Sequence, residues 1–311
     1  MSELIIETRN LSKTFGSKTI VSDINISIEK GSIYGFLGAN GTGKTTTMKM
    51  LLGLLKPSSG EIRIFGKNLF ICKTEILKHI GSMIETPCAY PNLTAKENMR
   101  FVATLLNISK NRISECLKIV NLNKDADKKV KEYSMGMKQR LGIAISLLHS
   151  PKLLILDEPT NGLDPIGIIE MREFIKQLPI NLGVTVFISS HLLTEINLMA
   201  THVGIIHESR LIFQGTLEKL KNENYKKYII KVNGPAFIKN ILVGCKIEEV
   251  VDERDITAKM LIEVNGEQDI SVINSVLVNN GIHVYELYPM QVTLEDIFLK
   301  YIRNSDNVNK N

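Results

Sequence analysis

One short segment limits what this 311-residue chain can fold into: residues 38–45 read Gly-Ala-Asn-Gly-Thr-Gly-Lys-Thr. The segment lies between residues 32–37, an apolar run typical of a strand, and residues 46–55, a run typical of a helix. Its glycines let the backbone wrap closely around a polyphosphate, and the N-terminus of the next helix adds partial positive charge. A complete G-x-x-x-x-G-K-[ST] pattern in this context predicts a phosphate-binding loop in an α/β fold.

The loop supplies a defined set of candidate binding residues. The amine of Lys44 is expected to reach the β- and γ-phosphates of a nucleoside triphosphate, and the hydroxyl of Thr45 is placed to bind Mg²⁺. The candidate nucleotide-binding residues here are Gly38, Ala39, Asn40, Gly41, Thr42, Gly43, Lys44, Thr45 and Thr46. The sequence therefore predicts that the chain binds a nucleoside triphosphate together with Mg²⁺.

A second candidate site is acidic. Residues 153–156 are four apolar residues typical of a buried strand, and Asp157 and Glu158 follow them directly. Because ligands collect at the C-terminal ends of strands in such sheets, Asp157 is predicted to hold Mg²⁺, directly or through water. Glu158 is predicted to orient and polarise the attacking water, since phosphoryl transfer depends mostly on positioning and charge stabilisation. An isolated Asp-Glu pair is more often a solvated turn, but the strand and the phosphate loop favour the catalytic interpretation.

Composition excludes several classes of protein. Hydrophobic residues make up 44% of the chain and charged residues 23%, which is ordinary for a globular protein. No run approaches the roughly 20 apolar residues of a membrane span, and the N-terminus has no signal-peptide pattern. The four cysteines, at positions 72, 88, 116 and 245, are too scattered for a zinc pattern and suit a reduced interior. We therefore expect a cytoplasmic protein.

Charge and composition both divide the chain near residues 221–224, a polar segment that would suit a linker. Residues 1–222 carry 28 Lys and Arg against 20 Asp and Glu, whereas residues 223–311 carry 10 against 13. Upstream, apolar runs such as residues 184–188 alternate with helical patterns, as expected of strands buried on both faces. The predicted organisation is an α/β nucleotide-binding domain over residues 1–222, an α+β accessory domain over residues 225–303 and a polar tail over residues 304–311.

The accessory domain shows alternating strand and helix patterns but no catalytic constellation. Strands are predicted at residues 227–232, 245–251, 257–264 and 282–287, and helices at residues 235–243 and 269–280. The order β-α-β-β-α-β is that of a split βαβ, ferredoxin-like module. A regulatory or dimer-supporting role is the hypothesis for this domain.

The segment between the two candidate sites reads Tyr-Ser-Met-Gly-Met-Lys-Gln-Arg over residues 133–140, and an apolar helical stretch follows. With it, residues 3–220 resemble the ATP-binding cassette (ABC) family, whose signature loop is L-S-G-G-Q; Ser134 and Gly136 match and the neighbouring positions differ. The resemblance implies a P-loop NTPase fold that hydrolyses ATP. It also implies a homodimer on ATP binding, in which Ser134 and Gly136 contact the γ-phosphate of the nucleotide in the other subunit.

The resemblance assigns roles to three further residues. Asp164 lies in a segment, Asn-Gly-Leu-Asp, that is similar to the family loop passing between paired sites. His191 follows an apolar strand pattern and matches the histidine that contacts the γ-phosphate, although a lone histidine is more often structural. Phe15 resembles the aromatic residue that stacks on adenine; the alternative is a half-buried strand residue.

Glu85 departs from the family pattern, which usually has glutamine after the strand near residues 81–84. The usual side chain helps to sense Mg²⁺ and the membrane partner, and a carboxylate can still bind Mg²⁺, so Glu85 is a candidate nucleotide-site and metal residue. Without a metal between them it would repel the γ-phosphate. This replacement resembles ATPases of bacitracin-type and lantibiotic self-immunity exporters.

The leading hypothesis is the ATP-hydrolysing subunit of an ABC exporter of a peptide antibiotic. Separate permease chains would complete it, and the subunit would lie on the cytoplasmic face of the cell membrane. The alternative is a soluble ABC ATPase acting on ribosomes or nucleic acid. The basic run 124–131, interrupted by Asp125 and Asp127, is interpreted as an exposed helix face, so no nucleic-acid partner is expected. A third possibility, an ATP sensor without hydrolysis, is disfavoured by the presence of Lys44, Asp157, Glu158 and His191.

Overall fold

The computed structural model describes residues 3–85, 89–222, 226–233, 242, 246–250, 258–264, 270–290 and 294–308. By its internal contacts the chain divides into two units: Met1–Leu217 with Tyr301–Asn311, and Glu218–Lys300. Within the described ranges, no helix combines the length and the apolar character needed to cross a membrane.

The first unit contains two sheets and the helices that surround them. Its strands are β1 (Leu4–Phe15), β2 (Lys18–Ile24), β3 (Ser27–Glu29), β4 (Ile33–Leu37), β5 (Ser59–Ile64), β6 (Lys67–Asn68), β7 (Ile80–Met83), β8 (Leu153–Asp157), β9 (Thr185–Ser190), β10 (His202–His207) and β11 (Arg210–Thr216). Its helices are α1 (Lys44–Leu51), α2 (Lys73–Leu77), α3 (Ala95–Leu105), α4 (Lys110–Ile119), α5 (Met135–Ser146), α6 (Pro165–Leu182) and α7 (Leu193–Met199). A further helix, α8 (Leu217–Asn222), contains the division between the units.

The six-stranded sheet, in the order β11-β10-β4-β9-β8-β7, positions the candidate site. Its strands are parallel except for β11, which pairs antiparallel with β10. Every residue of β4, β8 and β9 is buried, which explains why the central part of each strand is apolar. Because β4, β9 and β8 are neighbours, the segments that follow their C-terminal ends meet at one edge of the sheet.

The second sheet has the order β2-β1-β5-β6, with β3 also paired to β1. These pairings are antiparallel, and side chains such as Ile6, Leu11 and Ile62 are fully buried beneath them. The same core includes Phe36 and Phe187 of the central sheet. The two sheets of the first unit therefore share one hydrophobic core.

The helices α3, α4 and α5 lie between β7 and β8 in the chain. Helix α3 begins with a capping box, in which Thr94 and Glu97 each accept the other's backbone N–H. The helix face predicted for residues 124–131 is wrong: the segment consists of turns and the start of a short 3₁₀ helix, Val130–Glu132. It lacks an apolar stripe at helical spacing, and Lys128 instead pairs with Asp125 at 2.7 Å.

The second unit has one antiparallel sheet. Its elements are β12 (Lys226–Val232), β13 (Lys246–Val250), β14 (Ala258–Val264), α9 (Ile270–Asn279) and β15 (Val284–Met290), and α10 (Leu294–Val308) contains the second division. The strand order β13-β14-β12-β15 is the order of a split βαβ module. Ile230, Met260 and Leu277 belong to its core. The helix predicted at residues 235–243 falls outside the described residues, except for Leu242.

Candidate nucleotide-binding site

The phosphate loop connects β4 to α1, and its glycines are required by the local geometry. Gly41 and Gly43 have φ angles of 82° and 108°, which glycine adopts without strain. A Cβ atom on Gly43 would lie 2.6 Å from the carbonyl oxygen of Ile20, and one on Gly38 would lie 2.6 Å from that of Ile206. The backbone is therefore packed too closely for side chains at these positions, and it forms a cradle at the N-terminus of α1.

Lys44 is the first residue of α1 and is only 6% exposed. Its Nζ donates to the carbonyl oxygens of Gly38 at 2.7 Å and Ala39 at 3.3 Å. The same ammonium group lies 3.5 Å from Oε1 of Glu158. These contacts hold a cation within the loop, where it would neutralise charge on a bound polyphosphate.

Thr45 and Asp157, both predicted to bind metal, are in direct contact. The hydroxyl of Thr45 donates to Oδ2 of the buried Asp157 at 2.9 Å. A hydroxyl and a carboxylate are hard oxygen ligands of the kind that Mg²⁺ prefers. Their convergence beside the phosphate loop fits a magnesium ion shared with a nucleotide.

Ser189, which no sequence motif indicated, contacts both Asp157 and the backbone of Glu158. Its hydroxyl donates to Oδ1 of Asp157 at 2.5 Å and accepts the backbone N–H of Glu158 at 3.0 Å. Asp157 and Ser189 are register partners in the parallel pair of β8 and β9. The sequence feature that could have indicated Ser189 is a hydroxyl residue near the end of an apolar strand pattern, since β9 pairs with the strand that ends in Asp157.

The carboxylate of Glu158 lies between the side chains of Lys44 and His191. Its Oε1 faces Lys44, and its Oε2 lies 2.7 Å from Nδ1 of His191. Its backbone has a φ of 49°, which is in the left-handed region. The structure therefore brings together Lys44, Thr45, Asp157, Glu158 and His191 at one edge of the sheet, with the carboxylate of Glu158 held by a lysine and a histidine.

The signature-like residues form a second group. Ser134 caps α5 by accepting the N–H of Met137 at 3.3 Å, and Asp164 caps α6 by accepting the N–H of Gly167 at 2.8 Å. Both line a cleft of about 410 Å³ together with Gly136. No phosphate-loop residue is among the described residues that line this cleft. Two helix N-termini thus open into one cleft, which suits the binding of an anionic group.

Two predicted residues stand apart from both groups. Glu85 follows β7 with a φ of 65° and pairs with Lys49 of α1 at 2.7 Å. In the described part of the chain its ion pairs and hydrogen bonds do not include Thr45 or Asp157. Phe15 ends β1 and is 48% exposed, and Nζ of Lys13 lies 4.9 Å from its ring centroid. An exposed ring is available for stacking, and both roles stay predictions.

Comparisons with known proteins agree with this geometry. Residues 21–161 match the ABC transporter family, and residues 215–302 match the C-terminal domain of DrrA1-3-like ATP-binding proteins. Over 306 residues the chain is 47% identical to the bacitracin transport ATP-binding protein BcrA of Bacillus licheniformis, covering 96% of this chain and 97% of BcrA. It is 45% identical over 218 residues to the lantibiotic transport ATP-binding protein SrtF of Streptococcus pyogenes, covering 70% of this chain and 93% of SrtF.

Solved structures show the same fold. The chain aligns with cbiO1 of Clostridium perfringens, described as part of the ABC transporter complex cbiONQ, with a TM-score of 0.66 and 29% identity. The alignment covers 71% of this chain and 92% of cbiO1. The predicted P-loop NTPase fold with a smaller C-terminal domain is therefore confirmed.

A phosphate loop, a strand ending in two carboxylates and a neighbouring strand followed by histidine define a P-loop ATPase. The chain belongs to the ABC transporter ATP-binding proteins and is the ATP-binding subunit of such a transporter, a family that hydrolyses ATP to power transport. The resemblance stated from sequence is confirmed. The alternative of an ATPase acting on ribosomes or nucleic acid gains no support from these relatives.

Proposed function

We propose that this subunit powers export of a peptide antibiotic, of the bacitracin or lantibiotic type, through separate permease chains. The observation that carries the proposal is the 47% identity to a bacitracin transport ATP-binding protein over 96% of this chain. Because that match spans both units of the chain, it includes the C-terminal domain as well as the ATPase. A lantibiotic transport ATP-binding protein is similar over 70% of the chain, which supports the same class of cargo.

The geometry supports a separate role for each site residue in ATP hydrolysis. Lys44 and the loop amides hold the β- and γ-phosphates, and Glu158 orients a water molecule toward the γ-phosphorus. The new bond forms between water oxygen and phosphorus, the bond to the bridging oxygen breaks, and ADP and phosphate leave. The contact between His191 and Glu158 keeps that carboxylate directed at the water. Mg²⁺, when bound by Thr45 and Asp157, would neutralise phosphate charge.

Two copies of the subunit are proposed to pair when ATP binds. The cleft that contains Ser134, Gly136 and Asp164 presents two helix N-termini but no phosphate-loop residue among the described residues that line it. It would therefore bind the γ-phosphate of a nucleotide that another copy holds. Ile166, which lines this cleft, and Ile169, further along α6, are both exposed, as expected of a surface that a second copy covers.

A permease contact is proposed at the apolar groove near α3. The groove has a volume of about 420 Å³ and is lined by Tyr90, Asn98, Phe101, Val102, Ile145 and Ala89. Tyr90 and Phe101 are exposed and pack edge to face, with ring centroids 5.7 Å apart. Exposed aromatic side chains in a groove are typical anchors of a protein interface. This contact would hold the subunit on the inner face of the membrane.

Deletion and complementation test the proposal. Cells that lack the chain should become more sensitive to bacitracin or a lantibiotic, and the wild-type gene but not the Glu158→Gln variant should restore tolerance. A tagged chain should also co-purify with membrane proteins encoded beside it. Unchanged tolerance to both antibiotic classes, together with purification free of membrane proteins, would contradict an exporter of peptide antibiotics.

A further inference from the structure

Helices α5 and α6, whose N-termini open into the 410 Å³ cleft, are joined by an ion pair between Arg140 and Glu170. Arg140 comes six residues after Ser134, which caps α5, and Glu170 comes six residues after Asp164, which caps α6. At 1.5 Å per residue, each lies about 9 Å behind its helix N-terminus. Nη2 of Arg140 donates to Oε2 of Glu170 at 3.0 Å. The pair therefore links the two helices at the same distance from their N-termini.

Arg140 is held in place by more than this ion pair. Its side chain is 13% exposed, and Nη1 donates to the carbonyl oxygen of Val120, which caps the C-terminus of α4, at 3.3 Å. Its guanidinium lies 5.8 Å from the ring centroid of Phe174 on α6. One side chain thus contacts the end of α4 and two points on α6, which a planar guanidinium can do and a single ammonium cannot.

The pair lines two cavities. The 410 Å³ cleft and a second cavity of about 790 Å³ are both lined by Met137, Arg140 and Glu170. The acidic side chains of the larger cavity are already paired, Asp125 with Lys128 and Glu173 with Lys176. The Arg140–Glu170 pair therefore borders open space on two sides.

The N-terminus of α5 and the loop that precedes α6 also lie close together. A Cβ atom on Gly136 would lie 3.7 Å from Leu163, and one on Gly162 would lie 3.7 Å from the side chain of Met135. An added side-chain carbon would thus be only in ordinary van der Waals contact, so the two glycines leave room for the segments to slide. The Arg140–Glu170 ion pair, by contrast, is a directional contact between α5 and α6.

We propose that Arg140 and Glu170 are positioning residues that keep Ser134 and Asp164 in register, so that both helix N-termini reach the nucleotide of a second copy together. This inference rests on the ATP-dependent dimer of the proposed function. Neither residue contacts the chain's own phosphate loop among the described interactions. The pair therefore acts on the composite site between two copies and leaves ATP binding by a single copy unchanged.

The test measures dimerisation and nucleotide binding separately. In the full-length Glu158→Gln background, analytical ultracentrifugation with ATP gives the dimer dissociation constant, and a fluorescent ATP analogue at low protein concentration gives the affinity of the monomer. We expect Glu170→Gln to weaken dimerisation several-fold and Arg140→Met to weaken it roughly tenfold, since each change acts twice in a symmetric dimer. Affinity of the monomer should stay within about twofold, and Arg140→Lys should be intermediate.

A double variant tests whether Arg140 and Glu170 act through their mutual contact. Arg140→Met with Glu170→Gln should weaken dimerisation no more than Arg140→Met alone, because one interaction is removed in both. Glu173→Gln, on the same helix but paired with Lys176, is the matched control and should dimerise normally. Because Glu170 is 61% exposed, its variant should fold even if Arg140→Met does not. The proposal would be overturned if Glu170→Gln dimerised like the parent, or if the losses of dimer affinity in the two single variants added up in the double variant. If the Glu158→Gln parent itself did not dimerise with ATP, the proposed dimer would be refuted, and this inference with it.

Discussion

The hydroxyl of Ser189 donates a 2.5 Å hydrogen bond to the carboxylate of Asp157, across neighbouring parallel strands. The same hydroxyl accepts the N–H of Glu158. One buried serine therefore orients the candidate metal ligand and the backbone of the candidate catalytic carboxylate.

Ser189→Ala should lower ATP turnover roughly 10- to 100-fold, the usual effect of removing a group that orients a metal-binding residue. It should also lower the free energy of unfolding by about 1–3 kcal/mol, because Asp157 and Glu158 N–H each lose a buried partner. Turnover at saturating Mg²⁺ and urea unfolding measure the two effects. Ser190→Ala is the matched control, since that hydroxyl contacts Leu192 and not the carboxylates. Equal turnover in the two variants would refute the role of Ser189.

Lys44→Ala should weaken ATP binding roughly 10- to 100-fold, because it removes a charged hydrogen-bond donor from the phosphate cradle. Titration with a fluorescent ATP analogue measures the change. Lys118→Ala, which removes an exposed lysine from α4, should bind ATP as the parent does. If Lys44→Ala bound ATP like the Lys118 variant, the loop would not be the phosphate site.

Glu158→Gln should reduce ATP hydrolysis by about 10²- to 10⁴-fold while ATP binding persists, because the amide keeps the shape of the carboxylate but cannot polarise water. ATP-bound dimers should accumulate as a result. Phosphate release and size-exclusion chromatography with ATP measure the two outcomes. Normal turnover would remove Glu158 as the catalytic carboxylate.

Glu85→Gln should leave ATP binding within about twofold of the parent and disturb coupling to the permease. The 2.7 Å pair with Lys49 is exposed, and such pairs are typically worth no more than about 1 kcal/mol, so stability should barely change. Antibiotic tolerance of cells that carry the variant reports coupling. Tolerance equal to that of the wild type would count against a coupling role.

His149 should make the fold sensitive to acid. Burial lowers the pKa of His149 below its ordinary value of 6.5, more than the hydrogen bond to the carbonyl of Ile80 raises it. The unfolded chain therefore binds the proton more readily, so the stability present above about pH 6.5 is lost as the pH falls toward the lower pKa of the folded state. Urea unfolding of His149→Gln between about pH 7 and pH 5 should show a shallower loss than the parent. His283→Gln, an exposed site, is the control; the same slope in both variants would contradict this assignment.

The parts that could be predicted from the sequence are local. The phosphate loop, the apolar strand that ends in Asp157 and the strand pattern of the second unit each depend on residues that are contiguous in the chain. Hydrophobic periodicity and motif spacing report such segments directly. The helix face predicted for residues 124–131 was wrong because charge alone does not indicate a helix: Lys128 pairs with Asp125 within a turn, and Asp127 pairs with Lys96 of α3.

The contacts that were missed join distant residues. Ser189 and Asp157 are 32 residues apart, Lys49 and Glu85 are 36 apart, and Arg140 and Glu170 are 30 apart. Each depends on which strands or helices become neighbours, and a single sequence does not reveal that register. Family resemblance could name Glu85 as unusual, but it could not name the lysine that faces it.

The left-handed backbone at Glu158 gives the chain an evolutionary liability. A non-glycine residue in that conformation carries a strain of roughly 1 kcal/mol, which glycine or asparagine would largely relieve. Selection for a more heat-resistant protein alone would therefore favour loss of the carboxylate on which turnover is proposed to depend. A laboratory selection for thermal tolerance alone should replace Glu158 early and so abolish transport. A selection that demands antibiotic survival should retain the strained glutamate.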